Sequence, residues 1–246
     1  MNRLNWQITL GIVLVALCAI VYFVHYLIFR DTHHIFIYMI GDIAFVFFEV
    51  LLVTLIIHQL LSQREKRTRM EKLNMVIGAF FSEVGTELLT YFSDFDPKLA
   101  KIRNELVVTK DWSDQEFHTV SKVLKNYDYD VNIKKVSLEH LRIFLTGKRD
   151  FLLRLLENPN LLEHEAFTDL LQAVFHLTEE LMNRDDIKAL PDTDYQHLAV
   201  DIKRVYINLV YQWLDYMKHL KDNYPHLFSL AMRINPFDMQ ASPIVK

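Results

Sequence analysis

Two long apolar runs, Trp6–Phe29 and Ile35–Leu61, occupy the N-terminal part of the chain. The first carries no formal charge, and the second carries only Asp42 and Glu49. At about 1.5 Å per helical residue, each run is long enough to cross a hydrocarbon core of roughly 30 Å. The pattern predicts two membrane spans, with the short segment Arg30–His34 turning the chain back into an antiparallel hairpin. A carboxylate at mid-membrane costs on the order of 2.5–3.5 kcal/mol even on a lenient insertion scale. Asp42 and Glu49 are therefore expected to face protein rather than lipid.

Charge orients the hairpin. Arg64, Lys66, Arg67, Arg69 and Lys72 follow directly on the second run, with Glu65 and Glu71 the only acids among them. Positive residues flanking a span mark the cytoplasmic side. The expectation is a multi-pass integral membrane protein with its N-terminus and its C-terminal domain both in the cytoplasm. The same five basic residues would attract lipid head groups, at roughly 1 kcal/mol each near an anionic surface. The cluster is too short and too close to the membrane to point to nucleic acid. Cys18 is the single cysteine, so neither an internal disulfide nor a thiolate metal cluster is available. It also fails as a lipoprotein site, because Leu17 stands where a small residue is needed. The first run is too long for a signal-peptide core and no small-x-small site follows it, so it is expected to be retained.

Five glycines, six prolines and long 3.6-residue periodicity predict an all-α protein: a two-span hairpin followed by a cytoplasmic multi-helix bundle. Its expected parts are a hairpin over 1–62, a basic juxtamembrane segment with an amphipathic or interfacial helix over 63–93, a helical domain over 94–236 and a flexible tail over 237–246. No breaker separates the second run from Leu73–Phe92, whose Asn74, Ser82, Glu83 and Glu87 favour the membrane boundary or the domain core over a third span. Pro97 predicts a helix to about Val108. Ser113 with Glu116 forms a capping box for the next helix. Ser137 caps another, which Asn158-Pro159 ends, and two longer helices follow over about 161–184 and 192–222.

Chemistry-bearing residues fall into three groups. In the spans, Asp42 and Glu49 share a helical face with Tyr38, and Cys18, Tyr22 and His25 share one on the first run. Folding the hairpin about its turn sets Asp42 level with Tyr22 and Glu49 level with Val15. The expected cluster is Tyr22, His25, Tyr38, Asp42 and Glu49. It could be a structural network, a proton or cation path built from several copies, or a pocket for haem or quinone. In the domain, His176 with Glu179 and His197 with Asp201 have spacings that place each pair on one helix face, a weak pattern for a mononuclear metal. Asp128, Asp130, Asn132 and Glu139 follow calcium-loop spacing, but Ile133 occupies the position that needs glycine. No hydrolase, P-loop, dinucleotide, zincin or kinase motif occurs. The function expected is that of a membrane-anchored non-enzymatic protein whose cytoplasmic domain acts through protein contacts, with no cofactor. Its partners would be the lipid bilayer, further copies of itself and a cytoplasmic protein. A homo-oligomeric cation or proton channel through Asp42 and Glu49 is one alternative. A metal- or haem-dependent redox membrane protein is the other.

Overall fold

A computed structural model describes residues 3–159, 161 and 164–245; the side chains of Lys66, Arg67 and Arg69 lie outside the described residues, as does residue 163. The described residues are helical or irregular, with no strand among them. They divide into two compact units, Met1–Glu65 and Lys66–Lys246.

In the first unit, α1 spans Arg3–Phe29, and α2 starts at Thr32 and runs to Phe80. The link between them is only two residues, shorter than the sequence suggests. Arg30 takes a left-handed conformation at φ 48° and its N–H donates to the Tyr26 carbonyl at 2.9 Å. Asp31 then accepts from the His34 N–H at 3.1 Å, the geometry of an N-cap. That cap extends the second helix back over Thr32–His34. Both α1 and α2 are long and apolar enough to cross a membrane. Their side chains are bare: Val15 is 71% exposed and Phe47 74%. Among the described residues before Met70, only Tyr22, His25, Ile35 and Met39 are partly covered. Contact between the two helices is thus concentrated at the turn end.

The second unit is built around a dense core. The end of α2 contributes Leu73, Ile77 and Phe80, all buried. A single π turn over Phe81–Gly85 then leads into α3, Thr86–Asp94, which buries Leu88, Leu89 and Phe92. Leu73–Phe92 is therefore core material in this unit, with Glu83 and Glu87 on its exposed side. Gly85 is needed where it stands. A Cβ there would lie 2.7 Å from Phe81 and 2.8 Å from Phe80, two rings that are themselves buried.

The helix expected after Pro97 is instead two short 3₁₀ turns, Leu99–Lys101 and Arg103–Leu106. Asp96 is the cause. Its buried carboxylate accepts from the Lys98 N–H at 2.9 Å and from the Tyr127 hydroxyl at 2.8 Å, and so ties the segment down tightly. Four longer helices follow: α4 Asp114–Lys125, α5 Leu138–Leu156, α6 Glu165–Met182 and α7 Asp192–Asn223. Ser113 and Glu116 close a capping box on α4, and Ser137 caps α5. The central element is α7, which packs on α3, α4 and α6 and on the short α8, Pro225–Arg233. Its Tyr206 is fully buried, edge-on to Phe92 and Tyr129. Beyond α8, where the sequence suggests a flexible tail over 237–246, the chain is tied at two points, while Met239, Ile244 and Val245 are exposed. Phe237 is buried against Trp213, with ring centroids 5.0 Å apart, and the Ser242 N–H donates to the Arg233 carbonyl at 2.8 Å.

Candidate functional site

The helical spacing of α6 and α7 determines what they can share. His176 and Glu180 are four residues apart on α6, and His197 and Asp201 are four apart on α7, so each pair projects from one face. Packing the two helices together faces one pair with the other. His197 Nε2 lies 3.3 Å from Asp201 Oδ2 and 3.4 Å from Glu180 Oε2. His176 Nε2 lies 3.7 Å from Asp201 Oδ2 and 3.8 Å from Glu180 Oε1. The imidazoles are about half exposed, whereas the Asp201 side chain is only 4% exposed and forms the floor.

Arginines orient both carboxylates. Arg204 Nη1 lies 3.2 Å from Asp201 Oδ1. Arg184 Nη1 lies 2.8 Å from Glu180 Oε2, while its Nε and Nη2 grip both oxygens of Asp194 at 2.7 Å. The hydrogen bond from Arg184 holds the Glu180 carboxyl below the usual carboxylate range, and the nearby His176 and His197 add to the effect. The remaining oxygen of Asp201, Oδ2, is buried without a hydrogen-bond partner. Glu180, His197 and Asp201 therefore converge on one spot, with His176 beside them, a donor set suited to a divalent cation. A cleft of about 360 Å³, lined by His176, Arg204, Gln172 and Asn208, opens beside them.

Sequence spacing points to Glu179 beside His176, but the structure brings in Glu180 instead. Glu179 turns away to meet Arg149 Nε at 2.8 Å. Both acids are within reach of His176 by helical spacing, and only the position of α7 selects between them. The calcium-loop residues do not converge. Asp128 pairs with Lys98 and Lys203, Asp130 lies 3.8 Å from Lys98, Glu139 binds Arg142 at 2.9 Å, and the Asn132 N–H donates to the Phe95 carbonyl. Lysine ammonium groups stand where a calcium ion would have to be.

In the first unit the polar residues gather at the turn end. Tyr22 on α1 lies beside Asp42 on α2. The His25 ring stacks on His34 at 6.4 Å, and His34 meets Tyr38 edge-on at 4.6 Å. The Nε2 of His25 is buried with no hydrogen-bond partner. Glu49 is apart from this group, exposed on α2, and Val15 does not cover it. Of the basic cluster, Arg64 and Lys72 have exposed side chains on α2.

Comparison with known proteins places the same division in a family. Residues 2–61 match the family described as "MJ1433, N-terminal helical domain". Residues 69–233 match "Uncharacterized protein MJ1433, C-terminal helical domain". A relative from Methanocaldococcus jannaschii, described as "Uncharacterized protein MJ1433", is 48% identical over 238 residues, covering 97% of this chain and 96% of the relative. No solved structure matches the chain. Matched across both helical domains and along nearly its whole length, the chain belongs to the MJ1433 family.

Proposed function

We propose that this protein is anchored in a membrane by α1 and the first part of α2, and that its helical domain acts in the cytoplasm through protein contacts without catalysing a reaction. The observation that carries the anchor is the bare apolar surface of Ile8–Phe29 and of the stretch after Thr32. It presents Phe, Ile, Leu and Val side chains at roughly half exposure or more over two helices of membrane-spanning length. Monomeric soluble proteins rarely leave contiguous apolar patches beyond a few hundred Å² uncovered. The basic residues from Arg64 to Lys72 support a cytoplasmic domain by the positive-inside rule. Support for a contact role comes from an apolar groove of about 160 Å³ between the π turn, α7 and α8, with exposed Leu227, Leu230 and Ile234 at its edge.

The spans also favour self-association, because Asp42 has Tyr22 as its partner within the hairpin while Glu49 is left exposed on an apolar helix. A second copy would shield both acids. The same acids are compatible with a ring-lined cation or proton conductor, which needs several copies around a shared path. The test is the mass of the full chain in nanodiscs, beside Asp42→Asn/Glu49→Gln. Retention in carbonate-washed membranes and a dimer that the double variant weakens are expected. Extraction by carbonate would overturn the anchor. An assembly of four or more copies with flux sensitive to Glu49→Gln would favour the conductor.

A further inference from the structure

We infer that His176, Glu180, His197 and Asp201 form a binding site for a divalent first-row transition cation such as zinc, held between α6 and α7.

The argument begins with donor geometry. Zinc binds imidazole nitrogen and carboxylate oxygen at about 2.0–2.1 Å, so neighbouring donors around a tetrahedral ion lie roughly 3.3–3.4 Å apart. Asp201 Oδ2 lies 3.3 Å from His197 Nε2 and 3.7 Å from His176 Nε2, while Glu180 offers Oε2 to His197 at 3.4 Å and Oε1 to His176 at 3.8 Å. The closest set is Glu180, His197 and Asp201, whose donor atoms all lie within 4.8 Å of one another. Among the described residues, this is the one group of three or more histidine, cysteine or carboxylate side chains that meets that spacing. His176 stands next to this set, 3.7 Å from Asp201 Oδ2 and 3.8 Å from Glu180 Oε1, and is half exposed, so it can move inward as a fourth donor.

A second, independent observation is the buried oxygen. Asp201 Oδ2 has two imidazole nitrogens within 3.7 Å, yet it is hydrogen-bonded to neither and has no other partner. An unpartnered carboxylate oxygen in such a place costs about 1–3 kcal/mol, more if charged. A cation at the centre of the four donors would satisfy it. The arginines fit this arrangement, because Arg204 holds the opposite oxygen of Asp201 and Arg184 holds one oxygen of Glu180. Asp201 is thereby fixed with Oδ2 turned towards both imidazoles, whereas Glu180 Oε2 faces Arg184 and His197 together and Oε1 faces His176. Outer-shell hydrogen bonds of this type orient ligands in metal sites, and losing one typically costs 10–100-fold in affinity.

Donor chemistry narrows the ion. Two imidazoles with two carboxylates suit zinc and its first-row neighbours, and imidazole disfavours magnesium and calcium, which take oxygen.

The test uses the full chain without an affinity tag, purified in nanodiscs and stripped with chelator. It is titrated with Co²⁺ followed by visible absorption, and then with Zn²⁺ in competition. One equivalent per chain is expected, with a cobalt band that zinc removes. His197→Gln and Asp201→Asn should each weaken zinc binding at least tenfold. Glu179→Gln, which lies on the same helix but outside the cluster, should bind as the unmodified chain does. His197 is half exposed, so His197→Gln tests the site even if Asp201→Asn misfolds. Absence of stoichiometric zinc binding, or undiminished binding by folded His197→Gln, would overturn the assignment. So would equal loss in Glu179→Gln.

Discussion

Asp42 and Asp201 are both carboxylates set among apolar helical residues, and their surroundings could hardly differ more. Asp201 lies in a unit that supplies everything around it: Arg204 on one oxygen, two imidazoles facing the other, and the packed surfaces of α6 and α7. Asp42 has a tyrosine from the neighbouring helix and is otherwise exposed on a helix whose side chains are bare. One unit is folded against itself. The other leaves the apolar side chains of two long helices uncovered among the described residues.

That contrast can be broken most directly with a pair of phenylalanines. Phe80 is fully buried and packs edge-on against Phe167 at 5.5 Å, whereas Phe47 is 74% exposed. Phe80→Ala should cost the helical domain about 3–5 kcal/mol. Phe47→Ala should leave the domain's unfolding free energy, from urea titration, within about 0.5 kcal/mol of the unmodified value. Comparable losses from both would mean that the two units unfold as one.

Two glycines sharpen the same point at smaller scale. Adding a methyl group at Gly85 meets the buried rings of Phe80 and Phe81, while nothing lies within 4 Å of a Cβ at Gly41. Gly85→Ala should destabilise by about 1–3 kcal/mol, as overpacking does. Gly41→Ala should leave the domain's unfolding free energy in urea unchanged. A neutral Gly85→Ala would show that the π turn can relax around the added carbon.

The smallest effect concerns pH. Burial pushes the Asp96 carboxyl above its ordinary range, although the Lys98 N–H and the Tyr127 hydroxyl pull the other way. The folded chain then keeps a proton that the unfolded chain has already released. Stability should fall as pH rises from the ordinary carboxylate value through the raised one, and level off above it. Asp96→Asn removes this titration, so its denaturation midpoint should depend less steeply on pH in that interval. A steeper dependence in the variant would reverse the assigned direction.

Much of the helical architecture is legible in local chemistry. Ser113 with Glu116 and Ser137 mark helix starts because caps act within one turn, and the apolar runs declare themselves by length. What escapes is anything decided across elements. Residues after Pro97 have a helical pattern, but the tertiary bond from Tyr127 to Asp96 holds them in 3₁₀ turns. Spacing on α6 offers both Glu179 and Glu180 to His176, and the packing of α7 chooses between them. Phe237 reads as part of a frayed end until Trp213 is seen beneath it. The two-residue link before α2 is recoverable in hindsight, since Asp31 stands three residues before His34.

The π turn at Phe81–Gly85 acts as a phase correction in the apolar stripe. Each α-helical residue advances roughly 100° around the axis, so a regular helix carrying Phe80 inward would also turn Glu87 and Tyr91 inward. One extra residue in the turn delays the pattern by a single step. Leu88 and Phe92 take the inward positions instead, and Glu87 is left in solvent. Removing one residue from the turn would restore a regular helix and aim a carboxylate into the core. The irregular turn, more than any single side chain, keeps the end of α2 and the whole of α3 facing the same interior.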